Sequence, residues 1–483
     1  MKQVKELNKK MTLVIGDWSL VIRHWMGCLL MLSIISSCSV SKQISKQANT
    51  ILLNDTAIST GHIGISIYEP ATNKYWYNYN ADKYFIPASN TKLFTLYAGM
   101  KYLGDSLVGL RYQDKGENAF NIFPTGDPTF LHTDFKRQPV LDFLANDKKK
   151  RFCYTYPPNI NVSNEIGALG NGWAWNDYNY NYMVERNEFP IYGNIIKFNY
   201  DSLKYSKYKL EINWRIMPVY FSKYIDTIRN ISILERNFDS VTLSKKLLKF
   251  YAKRDLGSNV ITLVNDGNNF SRQEIPFYTE RNRTALNILK SDFKINIEFC
   301  RIINGDFKIF KIHSQPSDSL FKPMMHRSDN FFAEQTLLMA SNELLGYMSD
   351  EKIIETLLKT DLKDIPKKPK WVDGSGLSRY NLFTPQSFVY ILNKTKNEFG
   401  WDRIKNILPT GGTGTLSAYY KKDSSFIYAK TGTLSNNCAL SGYLITKKGK
   451  LLIFSILVNN YITGATPVRK AVEHFLLAIR ENY

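Results

Sequence analysis

Cysteine and histidine are scarce in this sequence, with five cysteines and six histidines among 483 residues. The cysteines stand singly at positions 28, 38, 153, 300 and 438, without a CxxC pair and without clustering around histidine. The sequence therefore predicts neither a zinc-type site nor a disulfide-rich miniprotein, and we expect no metal and no cofactor. A disulfide among the last three cysteines is compatible with this pattern, and the odd count leaves at least one thiol free.

Runs of like charge are missing as well, although the formal net charge is +20. No block of five or six consecutive basic residues occurs, so the charge is a weak indication of a nucleic-acid partner, and we expect none. Hydrophobic residues make up 44% of the chain and charged residues 22%, which excludes a disordered polymer. A length of 483 residues predicts two or three domains.

The N-terminal apolar run is too short to span a membrane comfortably. Met26–Ser37 follows Arg23 and ends in small residues just before Cys38, as a secretory signal does. The segment Ile35-Ser36-Ser37-Cys38 also resembles a bacterial lipobox. We therefore expect a signal peptide over 1–37, a lipid on Cys38, a lipoprotein tether over 38–50, and an exported, periplasmic body. A plain cleaved signal and an uncleaved anchor are the alternatives.

The first part of the body combines a strand pair with a helix. His62–Glu69 alternates apolar and polar residues and Tyr75–Tyr79 is aromatic, which predicts a β-hairpin. Asn90–Leu103 has apolar residues at helical spacing, which predicts a helix that begins near Ser89. Short strand-like runs and turn clusters then prevail over 104–322, which predicts a β-rich region.

The last part of the body returns to helix and sheet. The sequence predicts a helix over Phe331–Leu345 and a strand pair formed by Leu440–Thr446 and Leu451–Asn459. Thr466 and Pro467 are typical of an N-cap and a first helical residue, which predicts a C-terminal helix. Similar elements therefore enclose the β-rich region on both sides.

Three short motifs carry the chemistry. Ser89 and Lys92 form SxxK where a helix begins, Ser328-Asp329-Asn330 forms SxN, and Lys430-Thr431-Gly432 is the only KTG in the chain. A spacing of three places Ser89 and Lys92 on one helix face, where the amine can take the serine proton. SxxK by itself is a weak signal, because it also occurs at Ser39, Ser206, Ser291, Ser319 and Ser349. SxxK, SxN and KTG in this order are the motif set of penicillin-binding proteins and serine β-lactamases.

With these motifs the chain resembles the low-molecular-mass class C penicillin-binding proteins, the D-alanyl-D-alanine carboxypeptidase/endopeptidase family. Further stretches similar to that family lie at 126–129, 172–177, 373–379 and 408–416. The resemblance implies an α+β fold, with a β-lactamase/transpeptidase-like domain whose antiparallel sheet is flanked by helices. We expect this domain over 51–103 and 323–483, with a β-rich accessory insertion over 104–322. The part from about 200 to 300 has no recognisable counterpart in the family.

The resemblance also implies a serine DD-peptidase that forms an acyl-enzyme on Ser89. Lys92 would take the serine proton, with its pKa lowered by burial and by the charge of Lys430. Ser328 would pass a proton to the leaving D-alanine amine, and Asn330 would hold either Lys92 or the substrate amide. The expected partners are peptidoglycan stem peptides and cross-links, with β-lactams as covalent inhibitors.

Substrate-binding residues follow from the same resemblance. Lys430 and Thr431 would bind the terminal carboxylate, Gly432 would let the substrate backbone lie against the strand, and the N–H groups of Ser89 and Thr433 would form an oxyanion hole. A pocket for the third residue of the stem peptide would consist of Asp177 for its amino group, Arg379 for its carboxylate, and Tyr182 and Ser435 as walls.

Two other functions remain open at this point. A serine β-lactamase-like hydrolase shares the three motifs, but the chain length and the family-like stretches favour the peptidase. A non-catalytic envelope lipoprotein could use the same fold to bind peptidoglycan, but the complete motifs favour an enzyme. GxSxG and HExxH are absent, so hydrolases built on those motifs are excluded. The balance between carboxypeptidase and endopeptidase activity stays open.

Overall fold

The computed structural model describes residues 40–155, 166–206, 209–229, 250–265, 272–300, 308–422 and 424–483. The expected signal peptide and Cys38 lie outside the described residues. The strands are His62–Glu69 (β1), Lys74–Tyr79 (β2), Ser106–Asp114 (β3), Ala119–Pro124 (β4), Arg151–Tyr154 (β5), Ile195–Ser206 (β6), Lys209–Met217 (β7), Ile225–Arg229 (β8), Phe250–Arg254 (β9), Ile261–Asn265 (β10), Arg272–Pro276 (β11), Ile297–Phe299 (β12), Phe310–Pro316 (β13), Ile427–Leu434 (β14), Asn437–Ile445 (β15) and Leu451–Asn459 (β16). The α-helices are 40–47 (α1), Lys92–Tyr102 (α2), Pro139–Ala145 (α3), Arg283–Phe293 (α4), Ser317–His326 (α5), Asn330–Leu345 (α6), Asp350–Lys359 (α7), Pro385–Phe399 (α8), Trp401–Ile407 (α9) and Ala465–Asn482 (α10).

One antiparallel sheet brings the two ends of the chain together. Its strand order is β14-β15-β16-β1-β2, so the first hairpin pairs with strands from the last sixty residues. The central strands β15, β16 and β1 are almost entirely buried, because helices cover both faces of the sheet. This architecture confirms the expected α+β, transpeptidase-like fold, and it leaves the KTG strand β14 at an edge.

The two faces of this sheet have separate hydrophobic cores. The helices α1 and α10 pack on one face, where Ile44, Leu52 and Phe475 are fully buried. The helices α2, α6 and α8 belong to the core on the other face, where the Phe94 ring contacts those of Phe383 and Phe388. The active-site motifs lie on this second side, because SxxK and SxN stand at the first turns of α2 and α6.

The helix α2 is buried all around rather than on one stripe. Nine of its eleven residues are buried, which is the behaviour of a helix inside a core. At Gly99 a Cβ atom would lie 2.7 Å from both Phe321 of α5 and Thr336 of α6, so only glycine allows this close approach. The helix that carries Ser89 and Lys92 is therefore held rigidly by its neighbours.

Residues from position 40 onward differ from the expected tether. The helix α1 continues as one turn of π-helix over Ala48–Leu53, and the side chains of Ile44, Ala48 and Leu52 have no exposed surface. These residues recur at a spacing of four, so they form one apolar stripe that packs against α10. The segment 40–53 is thus part of the transpeptidase-like domain.

The insertion contains three sheets. A five-stranded sheet has the order β12-β5-β4-β3-β13, and two three-stranded sheets have the orders β8-β10-β9 and β11-β6-β7. A disulfide joins Cys153 in β5 to Cys300 just after β12, and Cys438 is a free, buried thiol. The sequence left this pairing open, because only the parallel pairing of β5 with β12 brings the two cysteines together.

Two boundaries differ from those expected. The helix α5 follows the last inserted strand, and its residues Leu320, Phe321 and Met324 are buried in the core with α2 and α6, so the insertion ends at Pro316 and not at 322. The helix α10 begins at Ala465 after Gly464, and Thr466 is not its cap. Pro at the third helical position is tolerated because its N–H would have no partner inside the helix. None of the helices within the described ranges is both long and apolar enough to cross a membrane.

Candidate active site

Ser89 lies in a single 3-10 turn, Ala88–Thr91, that leads directly into α2. Ala88 has a positive φ of 47°, and its carbonyl accepts a hydrogen bond from Thr91 Oγ1. The loop 373–378 presses on this turn, because a Cβ at Gly376 would lie 1.9 Å from the Ala88 carbonyl oxygen. Ser89 itself is half-buried. Ser89 is therefore held in a strained, closely packed turn.

The amine of Lys92 is fully buried one turn after Ser89. Its Nζ atom donates hydrogen bonds to Ser89 Oγ at 3.0 Å, to Asn330 Oδ1 at 2.7 Å and to the Ser375 carbonyl at 2.7 Å. Burial lowers the pKa of Lys92 to about 8, against the opposing effect of the carboxylates of Asp373, Glu334 and Asp329. About a tenth of the amine is then neutral at pH 7, which provides a base for the serine proton.

The SxN motif lies at the beginning of α6. Ser328 adopts a positive φ of 60°, and Asp329 caps the helix by accepting from the N–H of Phe332. Asn330 contacts Lys92 through Oδ1, and its Nδ2 donates to the Tyr182 carbonyl at 2.9 Å. Of the two roles expected for Asn330, the structure shows the contact with Lys92.

The KTG strand β14 passes close to the Ser89 turn. The fully buried Lys430 amine donates to Ser328 Oγ at 2.8 Å and to the Thr431 carbonyl at 2.7 Å. Burial, with smaller effects from the charges of Lys92 and Arg469, holds the pKa of Lys430 well below its usual range. Ser328 and Lys430 thus form a second hydroxyl–amine pair beside Ser89 and Lys92.

The backbone of the Ser89 turn lies too close to Gly432 for any side chain at this position. A Cβ at this position would lie 2.6 Å from the Pro87 carbonyl oxygen and 3.0 Å from the backbone nitrogen of Ser89. We expected glycine there so that substrate could lie against the strand, but the close neighbour is the backbone of the Ser89 turn. The backbone nitrogen of Ser89 therefore lies close to β14 at Gly432, and Thr433 is the next residue of that strand.

Comparison with known proteins identifies the family of the chain. The model of the D-Ala-D-Ala carboxypeptidase 3 (S13) family matches residues 45–216 and 289–479, which is most of the chain. The chain belongs to this family.

Individual relatives of this S13 family member are distant. Carboxypeptidase DacB of Mycolicibacterium smegmatis is 29% identical over 179 residues, which cover 34% of this chain and only 39% of the relative. D-alanyl-D-alanine carboxypeptidase DacB of Haemophilus influenzae is 24% identical over 427 residues, or 80% of this chain and 83% of the relative. The crystal structure of penicillin binding protein 4 (dacB) from H. influenzae has the same fold, with a TM-score of 0.65 and 19% identity over 91% of this chain and 99% of that one.

The four residues expected to form the side-chain pocket lie in two separate pairs in this S13 family member. Tyr182 forms a hydrogen bond with Asp177, which together with burial raises the pKa of Tyr182 to about 12. Arg379 donates to the Ser435 carbonyl at 3.1 Å. Tyr182 is 40% exposed and lines a cavity of about 480 Å³ together with Ser328 and Asn330, so it is not a core tyrosine. No direct contact joins the two pairs among the described residues.

The sequence did not reveal the acidic residues behind Lys92. Glu334 accepts from the N–H of Ser375 at 2.7 Å, and Asp373 accepts from the N–H of Gly376 at 2.8 Å, so both hold the loop whose carbonyl contacts Lys92. Glu334 is buried, and burial raises its pKa to about 7, while Arg186 of the insertion donates to it at 3.1 Å. Glu334 stands one helical turn after Asn330, and that spacing is the one sequence signal for it.

Arg469 is the other residue that the sequence did not single out. It lies in the first two turns of α10, among alternating charged and apolar residues that are typical of any surface helix. In the structure its Nη2 atom donates to Thr433 Oγ1 at 2.6 Å. No local motif predicts this contact, because it depends on how α10 packs against the end of β14.

Proposed function

We propose that the chain is a serine-type D-alanyl-D-alanine carboxypeptidase or DD-endopeptidase, or both, that acts on peptidoglycan stem peptides and cross-links through an acyl-enzyme on Ser89. The observation that carries this proposal is the contact of 3.0 Å between Ser89 Oγ and the buried Lys92 amine, whose pKa is lowered to about 8. A serine hydroxyl needs such a base, since it is a poor nucleophile at neutral pH.

Acylation begins when neutral Lys92 accepts the hydroxyl proton of Ser89. The serine oxygen attacks the carbonyl carbon of the penultimate D-alanine, and the backbone N–H groups of Ser89 and Thr433 stabilise the oxyanion. Ser328 then delivers a proton to the leaving amine and is reprotonated from Lys430, whose Nζ lies 2.8 Å from its hydroxyl. The peptide bond breaks, the terminal D-amino acid leaves, and the acyl group stays on Ser89.

Deacylation uses the same groups in reverse. Lys92 first releases to solvent the proton that it took from Ser89, and Lys430 regains from solvent the proton that it gave to Ser328. Neutral Lys92 then takes a proton from an incoming water molecule, and the hydroxide attacks the ester carbonyl. The ester bond to Ser89 breaks, and the proton returns to the serine oxygen. The buried position of Lys92 supports both steps, because the amine can release its proton readily at neutral pH.

Substrate recognition is proposed for two groups of residues around the reacting atoms. Thr431, Gly432 and Thr433 of β14 would bind the leaving end of the substrate, with Lys430 close by. The third residue of the stem peptide would meet Asp177, Arg379, Tyr182 and Ser435. The support for this pocket is that Tyr182 binds Asp177 by its hydroxyl and Asn330 by its carbonyl, so the pocket connects with the Lys92 site.

An exported, periplasmic location is part of the proposal, since peptidoglycan lies outside the cytoplasm. Residues 1–37 would be the signal peptide, and Cys38 would carry the lipid that anchors the protein to the membrane. Radiolabelled palmitate incorporation into the full chain, compared with Cys38→Ala, tests the anchor. Incorporation that persists in the variant would contradict it.

Intact-protein mass after brief exposure to benzylpenicillin tests the acyl-enzyme. A chain that begins at residue 39 should gain the mass of one penicillin, and Ser89→Ala should gain none. The H. influenzae neighbour has been solved in complex with a β-lactam, which supports the choice of probe. Absence of an adduct with intact drug would favour a non-catalytic peptidoglycan-binding protein. Absence of an adduct with consumed drug would favour a β-lactamase.

The balance between the two peptidase activities can be measured on purified muropeptides. Release of D-alanine from a monomeric pentapeptide reports carboxypeptidase activity, and conversion of a cross-linked dimer to monomers reports endopeptidase activity. Ser89→Ala should abolish both if both use one acyl-enzyme. Loss of neither activity would contradict the proposed nucleophile.

A further inference from the structure

The end of β14 carries two basic side chains, and neither has an acidic partner among the described residues. Lys430 is fully buried and bonds only to the Ser328 hydroxyl and the Thr431 carbonyl in the described part of the chain. Arg469 is half-buried, and its neighbours there are the Thr433 hydroxyl and the Cys438 thiol, with no Asp or Glu within ion-pair distance. Charged groups that are withdrawn from water are normally paired, so this corner is suited to an anion supplied from outside.

Arg469 of α10 lies on the side of β14 that carries the side chains of Thr431 and Thr433. Side chains alternate along β14, so Thr431 and Thr433 share one face of the strand. Arg469 donates to the Thr433 hydroxyl at 2.6 Å and lines a small cleft together with Thr431 and Cys438. The guanidinium therefore contacts one of the two threonine hydroxyls that the proposed function assigns to the leaving end of the substrate, and it lines the same cleft as the other threonine.

We propose that Arg469 binds the α-carboxylate of the leaving D-amino acid and is a specificity residue for substrates with a free C-terminal carboxylate. This inference rests on the proposed function. A guanidinium offers five N–H donors in a planar fork, so it can keep the Thr433 contact and still form two parallel bonds to a carboxylate. A lysine would supply the charge without that fork.

The alternative is that Arg469 only positions β14. It could hold the Thr433 backbone N–H in place through the hydroxyl and never contact substrate. The two roles differ in one measurable respect: a carboxylate-binding arginine affects only ligands that carry the carboxylate, whereas a positioning arginine affects acylation by every ligand equally.

Acylation rates with benzylpenicillin and with its methyl ester separate these roles. Benzylpenicillin carries a carboxylate near the leaving nitrogen, and the ester lacks the charge. Arg469→Ala should lower the second-order acylation rate with benzylpenicillin by about 10- to 100-fold, which is the range for a lost charge-assisted hydrogen bond, and should change the ester rate by less than about threefold. Arg469→Lys should fall between the wild type and the alanine variant.

The matched control is Lys470→Ala, which removes an exposed charge from the next residue of α10 and should leave both rates unchanged. Melting temperatures of all variants test the fold. If the alanine variant is unstable, the acylation rates of Arg469→Lys with the two ligands are compared with those of the wild type instead. Equal losses on both ligands, or no loss with benzylpenicillin, would overturn the assignment of Arg469 while the acyl-enzyme stands. Failure of the wild type to be acylated would instead overturn the proposed function and this inference together.

Discussion

At the scale of single residues, two buried amines dominate the electrostatics of the candidate site. Lys92 and Lys430 each contact a serine hydroxyl, at 3.0 Å and 2.8 Å respectively, and burial is the largest cause of the lowered pKa of each. In Lys92 three carboxylates oppose that effect, whereas the charges near Lys430 are positive. Neighbouring charges therefore raise the pKa of Lys92 against the effect of burial, whereas they lower the pKa of Lys430 further.

The pH dependence of acylation follows from Lys92. The base must be neutral, and its pKa is lowered to about 8, so the second-order acylation rate with benzylpenicillin should rise about tenfold per pH unit below 8 and level above it. Stopped-flow or quench kinetics between pH 6 and 10 measure this profile, and Lys92→Met should remove acylation at every pH. A flat wild-type profile would contradict the role of Lys92 as base.

Glu334 should affect the pH at which the acylation rate levels, because its charge acts on the pKa of Lys92. Its carboxylate raises the pKa of Lys92, so Glu334→Gln should shift the inflection of the acylation rate to lower pH. The glutamine oxygen can still accept from the Ser375 N–H, and Arg186 keeps its ion pair with Asp350 when that with Glu334 is lost, so the loop should stay in place. A control is Glu355→Gln on α7, whose carboxylate is exposed and pairs only with surface lysines. An unchanged inflection in Glu334→Gln would exclude this tuning.

At the scale of elements, β14 and the Ser89 turn must approach closely. Gly432→Ala places a Cβ 2.6 Å from the Pro87 carbonyl oxygen, so the strand must move away from Ser89 and take the Thr433 N–H with it. Because each oxyanion-hole donor is typically worth about 10² to 10³ in rate, we expect acylation to fall at least about 100-fold.

Gly464→Ala is the matched control for Gly432→Ala. Gly464 has a φ of −69° and open space around its Cβ position, so the substitution should change the acylation rate little. Both variants are assayed with benzylpenicillin at one pH, and circular dichroism checks their folds. Wild-type acylation by a folded Gly432→Ala variant would show that the close approach is not needed.

At the scale of the whole molecule, strands from both ends of the chain form one sheet, and an ion pair joins the insertion to the transpeptidase-like domain. Arg186 of the insertion pairs with Glu334 of α6 at 3.1 Å, and both side chains are almost fully buried. Arg186 also pairs with Asp350 of α7, so two carboxylates of the transpeptidase-like domain hold this one side chain of the insertion, and loss of Arg186 would leave both without their cation. The insertion is thereby connected to the loop that holds Lys92.

The N-terminal helix should be needed for stability. A chain that begins at residue 55 loses Ile44 and Leu52, which are fully buried against the sheet and α10. At about 1.5 to 3 kcal/mol for each large side chain, the free energy of unfolding should fall by about 3 to 6 kcal/mol relative to a chain that begins at residue 39. Urea denaturation of the two chains measures the difference. Equal midpoints would mean that 40–53 is a tether after all.

The sequence by itself determined the elements whose signals are local. The first hairpin, the helix after Ser89, the helix after SxN and the C-terminal strand pair all follow from periodicity or turn chemistry within a dozen residues, and the motif order indicated the family. The predicted start of α10 at Pro467 was wrong by two residues, because the helix begins at Ala465. Helix ends are commonly shifted by one or two residues from the position that local signals favour.

Only the tertiary structure decided which distant groups meet. The contact of Lys92 with Asn330 joins residues 238 positions apart, and Arg186 and Arg469 come from two further segments. Such contacts depend on how buried surfaces pack, and packing is set by the whole core rather than by spacing along the chain. For the same reason, the real neighbour of Gly432 and the burial of 40–53 became visible only in the folded molecule.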